Sequence, residues 1–331
     1  MVSIIFVIWL VLFIALFSLF GLKETVLVLK HSNPFMLLAA FITVIIATFV
    51  TVGSWKTVLN GMNYKIKFKK LFEVMMAGFF IDNLLPNIAP AGELSMAYFL
   101  SKKEKVPLHD SFTSIIIQTT AWFVGFTSLA SCLVVLLFFE KVIPFQIAVL
   151  MGFLITCFIL ILLLILYLVF KPKKAEELLL WIVRSVFKLG LKFTRFKHFE
   201  EEAIEFIEEN VRSFNYAFRK QRKKKLLAKA SLLMALHHFL IIFSFYLVVV
   251  SFGVKTGFLQ ASAVFLLVYM ISLLSMIPGQ FGIYEATAIP LIGMNSSMLN
   301  GALVTSAARL LHYWFIVFLG GYYALKINVG E

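Results

Sequence analysis

Aspartate is nearly missing from this chain of 331 residues: Asp82 and Asp110 are its two aspartates, far apart in sequence. That excludes a DxD metal site or an aspartyl dyad on neighbouring residues. Cysteine is as scarce. Cys132 and Cys157 lie inside apolar stretches, with neither a zinc-ligand spacing nor a secreted disulfide framework, so both are expected to be small buried hydrophobes. No HExxH, Walker A or GxSxG motif occurs, which removes the commonest hydrolase and nucleotide-binding signatures. Stretches of about ten residues alternating in polarity, the mark of a transmembrane β-barrel, are also lacking.

Apolar sequence fills the chain instead. Hydrophobic residues make up 61% of it and the mean hydropathy is +0.97, whereas an ordinary soluble domain is about 45–50% apolar. The bilayer must be the solvent. Full helical spans are expected near 2–22, 35–55, 111–139, 145–170, 226–252 and 301–325; about 20 apolar residues cross the hydrocarbon core. Residues 2–22 have no basic leader and no small-residue cleavage site, so they are expected to form a retained first helix, not a signal peptide. The net charge of +13 does not call for nucleic acid, because Lys and Arg gather in loops beside spans and in one central block. A multi-pass protein of the cell (inner, cytoplasmic) membrane follows, with both termini expected on the cytoplasmic side.

Two apolar stretches cannot be continuous helices. The first, about 71–100, is interrupted by Leu85-Pro86-Asn87-Ile88-Ala89-Pro90-Ala91-Gly92-Glu93; each proline removes a backbone donor and clashes with a preceding carbonyl. Lysines flank it at both ends (Lys65, Lys67, Lys69 and Lys70 before, Lys102, Lys103 and Lys105 after). Both ends therefore read as cytoplasmic, and the stretch as a re-entrant hairpin. The second, about 259–297, turns at Ile277-Pro278-Gly279-Gln280-Phe281-Gly282-Ile283-Tyr284-Glu285 and should open from the outer face. A Pro precedes a Glu by seven residues in both, Pro86 with Glu93 and Pro278 with Glu285. Matching breaks entered from opposite faces are the signature of an inverted-topology transporter repeat. The expected fold is thus an all-α polytopic membrane protein of about six spans and two broken hairpins. Its halves are 1–170 and 226–331. Between them, 171–225 forms a cytoplasmic linker with two candidate helices: one basic and amphipathic, carrying Arg184, Lys188, Lys192 and Arg195, and one with an apolar stripe from Ile204 to Phe218.

Ionisable groups at membrane depth are costly, which makes each a candidate for function. Asp82, Glu93, Glu285 and Arg309 stand out, with Asn83 beside the first break and His312 one turn from Arg309 on the same helical face. Two readings of the glutamates remain open. Each can cap its own restarted helix, or the restarted half-helices, opened at Gly92 and Gly282 and hinged at Pro90 and Gly279, can direct backbone N–H groups at an anionic ligand that Arg309 completes. Arg309 has the equal alternative of an ion pair with Glu285. Asp82 and Asn83 are read first as caps for freed backbone, His237 and His238 as interfacial residues opening the fifth full span, and Asp110 with His109 as a surface pair. No cofactor or metal is called for.

The runs Asn83-Leu-Leu-Pro86, Pro90-Ala-Gly92-Glu93 and Pro278-Gly279-Gln-Phe-Gly282-Ile-Tyr-Glu285, with the later Arg309, resemble the flippase-like membrane family. That family includes the membrane half of lysylphosphatidylglycerol synthases of the multiple peptide resistance factor type. The resemblance implies a translocator of anionic or aminoacylated phospholipid built from two related halves; the residues themselves leave open a small-solute or ion carrier, or an intramembrane lipid-modifying transferase with Glu93 or Glu285 as base. The resemblance departs from the family's usual pattern at Met96 and at Gln118 to Trp122. It covers the membrane half and not the aminoacyl-transferase domain of the synthases, so a separate lipid-modifying partner enzyme is expected to supply an aminoacylated substrate.

Overall fold

The computed structural model of the chain describes residues 30, 32–84, 91–141, 143–171, 174, 177, 224–275, 277–294 and 296–329. The expected first span and nearly all of the central linker, with both its candidate helices, lie outside the described residues. So do Pro86 and Pro90.

All regular structure among the described residues is helical: α1 (Pro34–Gly61), α2 (Phe68–Leu84), α3 (Ala91–Glu104), α4 (Leu108–Phe139), α5 (Phe145–Phe170), α6 (Lys224–Ser251), α7 (Phe258–Leu273), α8 (Ile283–Gly293), α9 (Met298–Arg309) and α10 (Phe315–Val329). A π turn, Leu310–Trp314, fuses α9 and α10 into one long helix. Five helices are long and apolar enough to cross a membrane, namely α1, α4, α5, α6 and the α9–α10 unit. They match the second to sixth expected spans. The broken stretches appear as short helices, α2 with α3 and α7 with α8; at 17, 14, 16 and 11 residues each falls short of the roughly 20 needed to span.

Local sequence sets the ends of these helices. Asn33 caps α1, its Oδ1 accepting from the backbone of Phe35 at 3.0 Å and Met36 at 3.3 Å, with Pro34 in the first turn where no donor is lost. Ser297 caps α9 through the Asn300 N–H at 3.1 Å. Gln260 and Glu285 reach back from the third position of α7 and α8 to the N–H of Gly257 and Gly282.

Contacts along the bundle fix which ends lie together. The backbone N–H of Asn33 donates to the Ser251 carbonyl at 2.7 Å, and Gly61 lies against Leu226, so α1 and α6 run antiparallel. Tyr64, before α2, donates its hydroxyl to the Asp110 carboxylate at the start of α4. The chain therefore enters and leaves the α2–α3 stretch at one end of the bundle. Lys326 at the far end of α10 joins them there by pairing with Glu73 at 3.2 Å. By connectivity the α7–α8 stretch begins and finishes at the other end.

Between helices in lipid there is little hydrophobic driving force, so close backbone approach at small residues does much of the packing. A Cβ on Gly92 would sit 2.5 Å from the Asp82 Cβ, and one on Gly78 would meet Met96 at 2.2 Å. The pairing of 78 with 96 and 82 with 92 makes α2–α3 an antiparallel hairpin. Gly320 seats α10 directly on the Met76 carbonyl of α2. Two apolar clusters result, one around each broken stretch, and Trp122 packs against both. Cys132 is exposed on the bundle's outer surface and Cys157 is half-buried, correcting the expectation of burial. α5 is a peripheral helix packed on α4, and outward faces of this pair are apolar enough for a thiol to rest in lipid.

Candidate functional site: two helix breaks at the bundle centre

The second break is held by Arg309. Its Nε donates to Glu285 Oε1 at 2.6 Å, Nη1 to the Gly279 carbonyl at 2.9 Å and Nη2 to the Gln280 carbonyl at 3.1 Å. The guanidinium also lies over the Tyr284 ring, 4.3 Å from its centroid, with Phe281 and Tyr313 each at 5.2 Å. Arg309 is only 8% exposed. The other Glu285 oxygen accepts from the Gly282 N–H at 2.8 Å. One carboxylate thus caps α8 and neutralises the arginine together. This grip is needed because the turn is strained: φ is +59° at Gly279, +59° at Gln280 and +83° at Gly282, and a left-handed conformation at the non-glycine Gln280 costs about 1–2 kcal/mol. Arg309 ties down the two carbonyls that this conformation turns inward.

The first break has a different chemistry. Asp82, at the end of α2, is met by the backbone N–H of Gly92, while Glu93 turns onto its own N–H in the first turn of α3. Both acids are half-buried and lie within electrostatic reach of each other. Neither has an ion pair among the described residues. Tyr269 of α7 lies within reach of Asp82 and stacks edge-on against Phe126, which packs against Trp122 and His238. Since α2 also touches the turn of the second break, the two breaks approach each other in the middle of the bundle.

Several candidates move on this geometry. Asn83 donates its Nδ2 to the Phe79 carbonyl at 2.7 Å within the last turn of α2, and the backbone it was expected to cap lies outside the described residues. Pro278 opens a single 3-10 turn ending at Gln280. His312 does not share the destination of Arg309: the π turn inserts an extra residue, so Tyr313 follows Arg309 to the break while His312 points to Ser244 of α6, Nε2 to Oγ 2.9 Å. His237 and His238 are not at an interface but at the midpoint of α6, and His238 is 5% exposed. Asp110 sits beside His109 as a 3.6 Å pair, yet its main partner is Tyr64, whose hydroxyl is pushed up to about 12 by burial and by that carboxylate. The Glu73–Lys326 pair and the buried set Ser54, Trp55, Ser114 and Gln118, joined by hydrogen bonds of 3.0–3.1 Å between α1 and α4, escaped the sequence reading. They carry no periodic or motif signal of their own.

Comparison with known proteins now decides the family. The family model for the lysylphosphatidylglycerol synthase TM region matches residues 1–320. The chain belongs to that family. It is 26% identical over 318 residues to a UPF0104 membrane protein of Methanocaldococcus jannaschii, covering 95% of this chain and 91% of the relative. A UPF0104 membrane protein of Pyrococcus horikoshii is 25% identical over 316 residues, covering 92% and 91%. Another, of Methanothermobacter thermautotrophicus, is 25% identical over 333 residues, covering 96% and 93%. The chain is therefore a multi-pass membrane protein of the synthase-related membrane family, with Asp82, Glu93, Glu285 and Arg309 at its two breaks.

Proposed function

We propose that the chain translocates a polar-headed lipid between leaflets, taking the headgroup at the first break while the second break closes the opposite half. The carrying observation is the unequal charge of the breaks: Glu285 and Arg309 neutralise each other, whereas Asp82 and Glu93 face no cation among the described residues. Two neighbouring carboxyls, with Asp82 in reach of Tyr269, suit an ammonium group through charge-assisted hydrogen bonds. The family is named for a lipid whose headgroup bears lysine amines, and an aminoacylated phospholipid brings the same chemistry. Arg309, already donating to three acceptors, serves phosphate less well than the sequence reading allowed. In this account α2–α3 and α7–α8 are re-entrant hairpins opening to the cytoplasmic and outer faces of the cell membrane, and acyl chains stay in the bilayer while the headgroup crosses. A lipid-modifying enzyme supplies the substrate.

Reconstitution tests the reading. Purified protein in vesicles is assayed for leaflet exchange of labelled lipids that differ only in headgroup: lysyl-phosphatidylglycerol, phosphatidylethanolamine and phosphatidylglycerol. Exchange of the two amine-bearing lipids at least tenfold faster than phosphatidylglycerol supports it. Exchange no faster than in protein-free vesicles, for all three, sinks it.

A further inference from the structure

The middle of α6 carries a feature that neither break uses. Polar residues recur along this helix at intervals of seven: Ser231 and His238 on one line, His237, Ser244 and Ser251 on the next. Seven residues are about two turns, so each line stays on one stripe. Ser231, His238, Ser244 and Ser251 are all buried, and the stripe runs nearly the full length of the helix. Buried hydroxyls and imidazoles in lipid are kept at a cost unless they have a task.

Hydrogen bonding fixes the protons on the rings. His237 Nδ1 lies 3.0 Å from the Ala47 carbonyl and 2.8 Å from Thr51 Oγ1. The Thr51 hydroxyl proton is already directed to that same carbonyl at 3.1 Å. A carbonyl only accepts, so Nδ1 carries a proton, and in the neutral ring Nε2 is then a lone pair. Ser244 Oγ donates its one proton to the Ala40 carbonyl at 3.0 Å. It must then accept from His312 Nε2–H at 2.9 Å, which leaves His312 Nδ1 as the lone pair. His238 Nε2 is buried without a partner among the described residues, while the ring meets the Trp122 backbone on its other side. The His237 and His238 rings are 5.0 Å apart by centroid, and His312 lies within electrostatic reach of His237. Three imidazoles therefore sit together at mid-bundle, and each, when neutral, has an acceptor nitrogen with no hydrogen-bond partner among the described residues. Among the described residues they do not converge with other ligands as a metal site.

We propose that His237, His238 and His312 form a proton-binding site, separate from the two breaks, that takes up one proton from water and couples it to lipid movement. An N–H bond forms at an unshared imidazole nitrogen as an O–H bond of a hydronium ion breaks, leaving water and an imidazolium. A nitrogen nearby can share the proton, as a histidine cluster in a membrane relay does. The groups facing the cluster leave it free to change charge. α1 offers only backbone and the Thr51 hydroxyl, α4 the Trp122 and Phe126 rings, and α7 Tyr269; on the last span the neighbours are Tyr313 and Arg309, whose charge Glu285 already offsets. The output is close at hand. His312 follows Arg309 by three residues across the π turn, so a charge gained at His312 shifts the turn that carries Arg309 and with it the clamp on Gly279 and Gln280. The coupling rests on the translocation reading, but proton binding does not.

Two measurements separate them. In nanodiscs, nitrogen-15 NMR of labelled histidine is followed from pH 8 to pH 5 in the wild type and in His237→Gln, His238→Gln and His312→Gln, with thermal midpoints recorded to confirm folding. The expected result is one imidazolium shared by the cluster in the wild type, with the titration of the remaining two rings altered in each folded variant. Three rings that all stay neutral to pH 5, or titrate independently of one another, overturn the site. In vesicles, a gradient of one pH unit should skew the steady-state distribution of labelled lysyl-phosphatidylglycerol by up to about tenfold per coupled proton. The skew should be lost in His312→Gln. Shared protonation with exchange but no skew overturns the coupling; shared protonation without any wild-type exchange overturns the translocation reading and leaves the proton site standing.

Discussion

The two breaks share a plan and differ in charge. In each, a helix stops, a carboxylate receives a backbone N–H, and a second short helix restarts: Asp82 meets Gly92 N–H in the first turn of α3, Glu285 meets Gly282 N–H before α8. At the second, Arg309 adds three donors and an aromatic setting, so the carboxylate is matched, the strained carbonyls are bound and the turn is closed on itself. At the first, Glu93 stands beside Asp82 in place of a cation. A matched break is a structural clamp; an unmatched one at membrane depth is stable only if its charge is offset by protons or by something that arrives. The difference is one of charge: the second break is neutralised within itself, and the first is not among the described residues.

Substitutions at the charged groups should separate the breaks most widely. Arg309→Ala strands Glu285 and two inward carbonyls, and removing one partner of a buried pair costs about 3–5 kcal/mol; Arg309→Lys keeps the charge but loses the fork and should fall between. Asp82→Asn keeps an acceptor for Gly92 and orphans no cation, so its unfolding free energy should lie within about 1 kcal/mol of wild type. Denaturant unfolding in nanodiscs reads both. Comparable losses in Arg309→Ala and Asp82→Asn would make both breaks structural and erase the contrast.

Smaller effects are expected from the glycines that shape each turn. Gly279→Ala would place a Cβ 2.4 Å from the Tyr313 hydroxyl at a φ of +59°, combining overpacking of about 1–3 kcal/mol with a left-handed penalty. Gly92→Ala meets the Asp82 Cβ at 2.5 Å and the Gly78 carbonyl at 2.9 Å without a φ penalty. It should destabilise less than Gly279→Ala but displace Asp82, so exchange of amine-bearing lipid should drop more than the thermal midpoint does. The reverse order of midpoints would show that the first hairpin, not the clamp, is the tighter turn.

The smallest effect lies at the mouth of the first hairpin. Tyr64 has its hydroxyl pushed up to about 12, above its ordinary value near 10. A raised folded value means that the neutral form is held by the fold, so this stabilisation is complete below about pH 10 and is lost as pH rises toward 12. Thermal midpoints measured across that window should decline less in Tyr64→Phe than in wild type. Identical decline would show that the Tyr64–Asp110 bond does not hold the hairpin's ends together.

Much of this architecture was legible in the residues. A Pro-Gly pair with a second Gly three residues on disfavours a continuous helix, so Pro278 to Glu285 marked the second turn closely, and lysines on both sides of 71–100 placed the ends of the first hairpin together, as the Tyr64–Asp110 bond now does. The competition between Glu285 and phosphate for Arg309 was left open because sequence spacing cannot say which acceptors a guanidinium reaches; the strained carbonyls of Gly279 and Gln280 favour the clamp. His312 was misplaced because a π turn shifts every later side chain by one position, and no residue in Leu310–Trp314 announces it. His237 and His238 were read as interfacial although a span of 226–252 already put them near its centre. Their seven-residue relation to Ser231 and Ser244 was the available signal.

The central claim is that the unmatched break, and not the clamped one, receives the headgroup. Its most direct test is leaflet exchange of lysyl-phosphatidylglycerol in vesicles for Asp82→Asn and Glu285→Gln, normalised to folded protein by thermal midpoint. The account predicts that Asp82→Asn lowers exchange at least tenfold with its midpoint close to wild type, while Glu285→Gln lowers the midpoint and loses exchange only in proportion to folded protein. Exchange retained in Asp82→Asn, with a selective loss in folded Glu285→Gln, would contradict it and move the headgroup site to the second break.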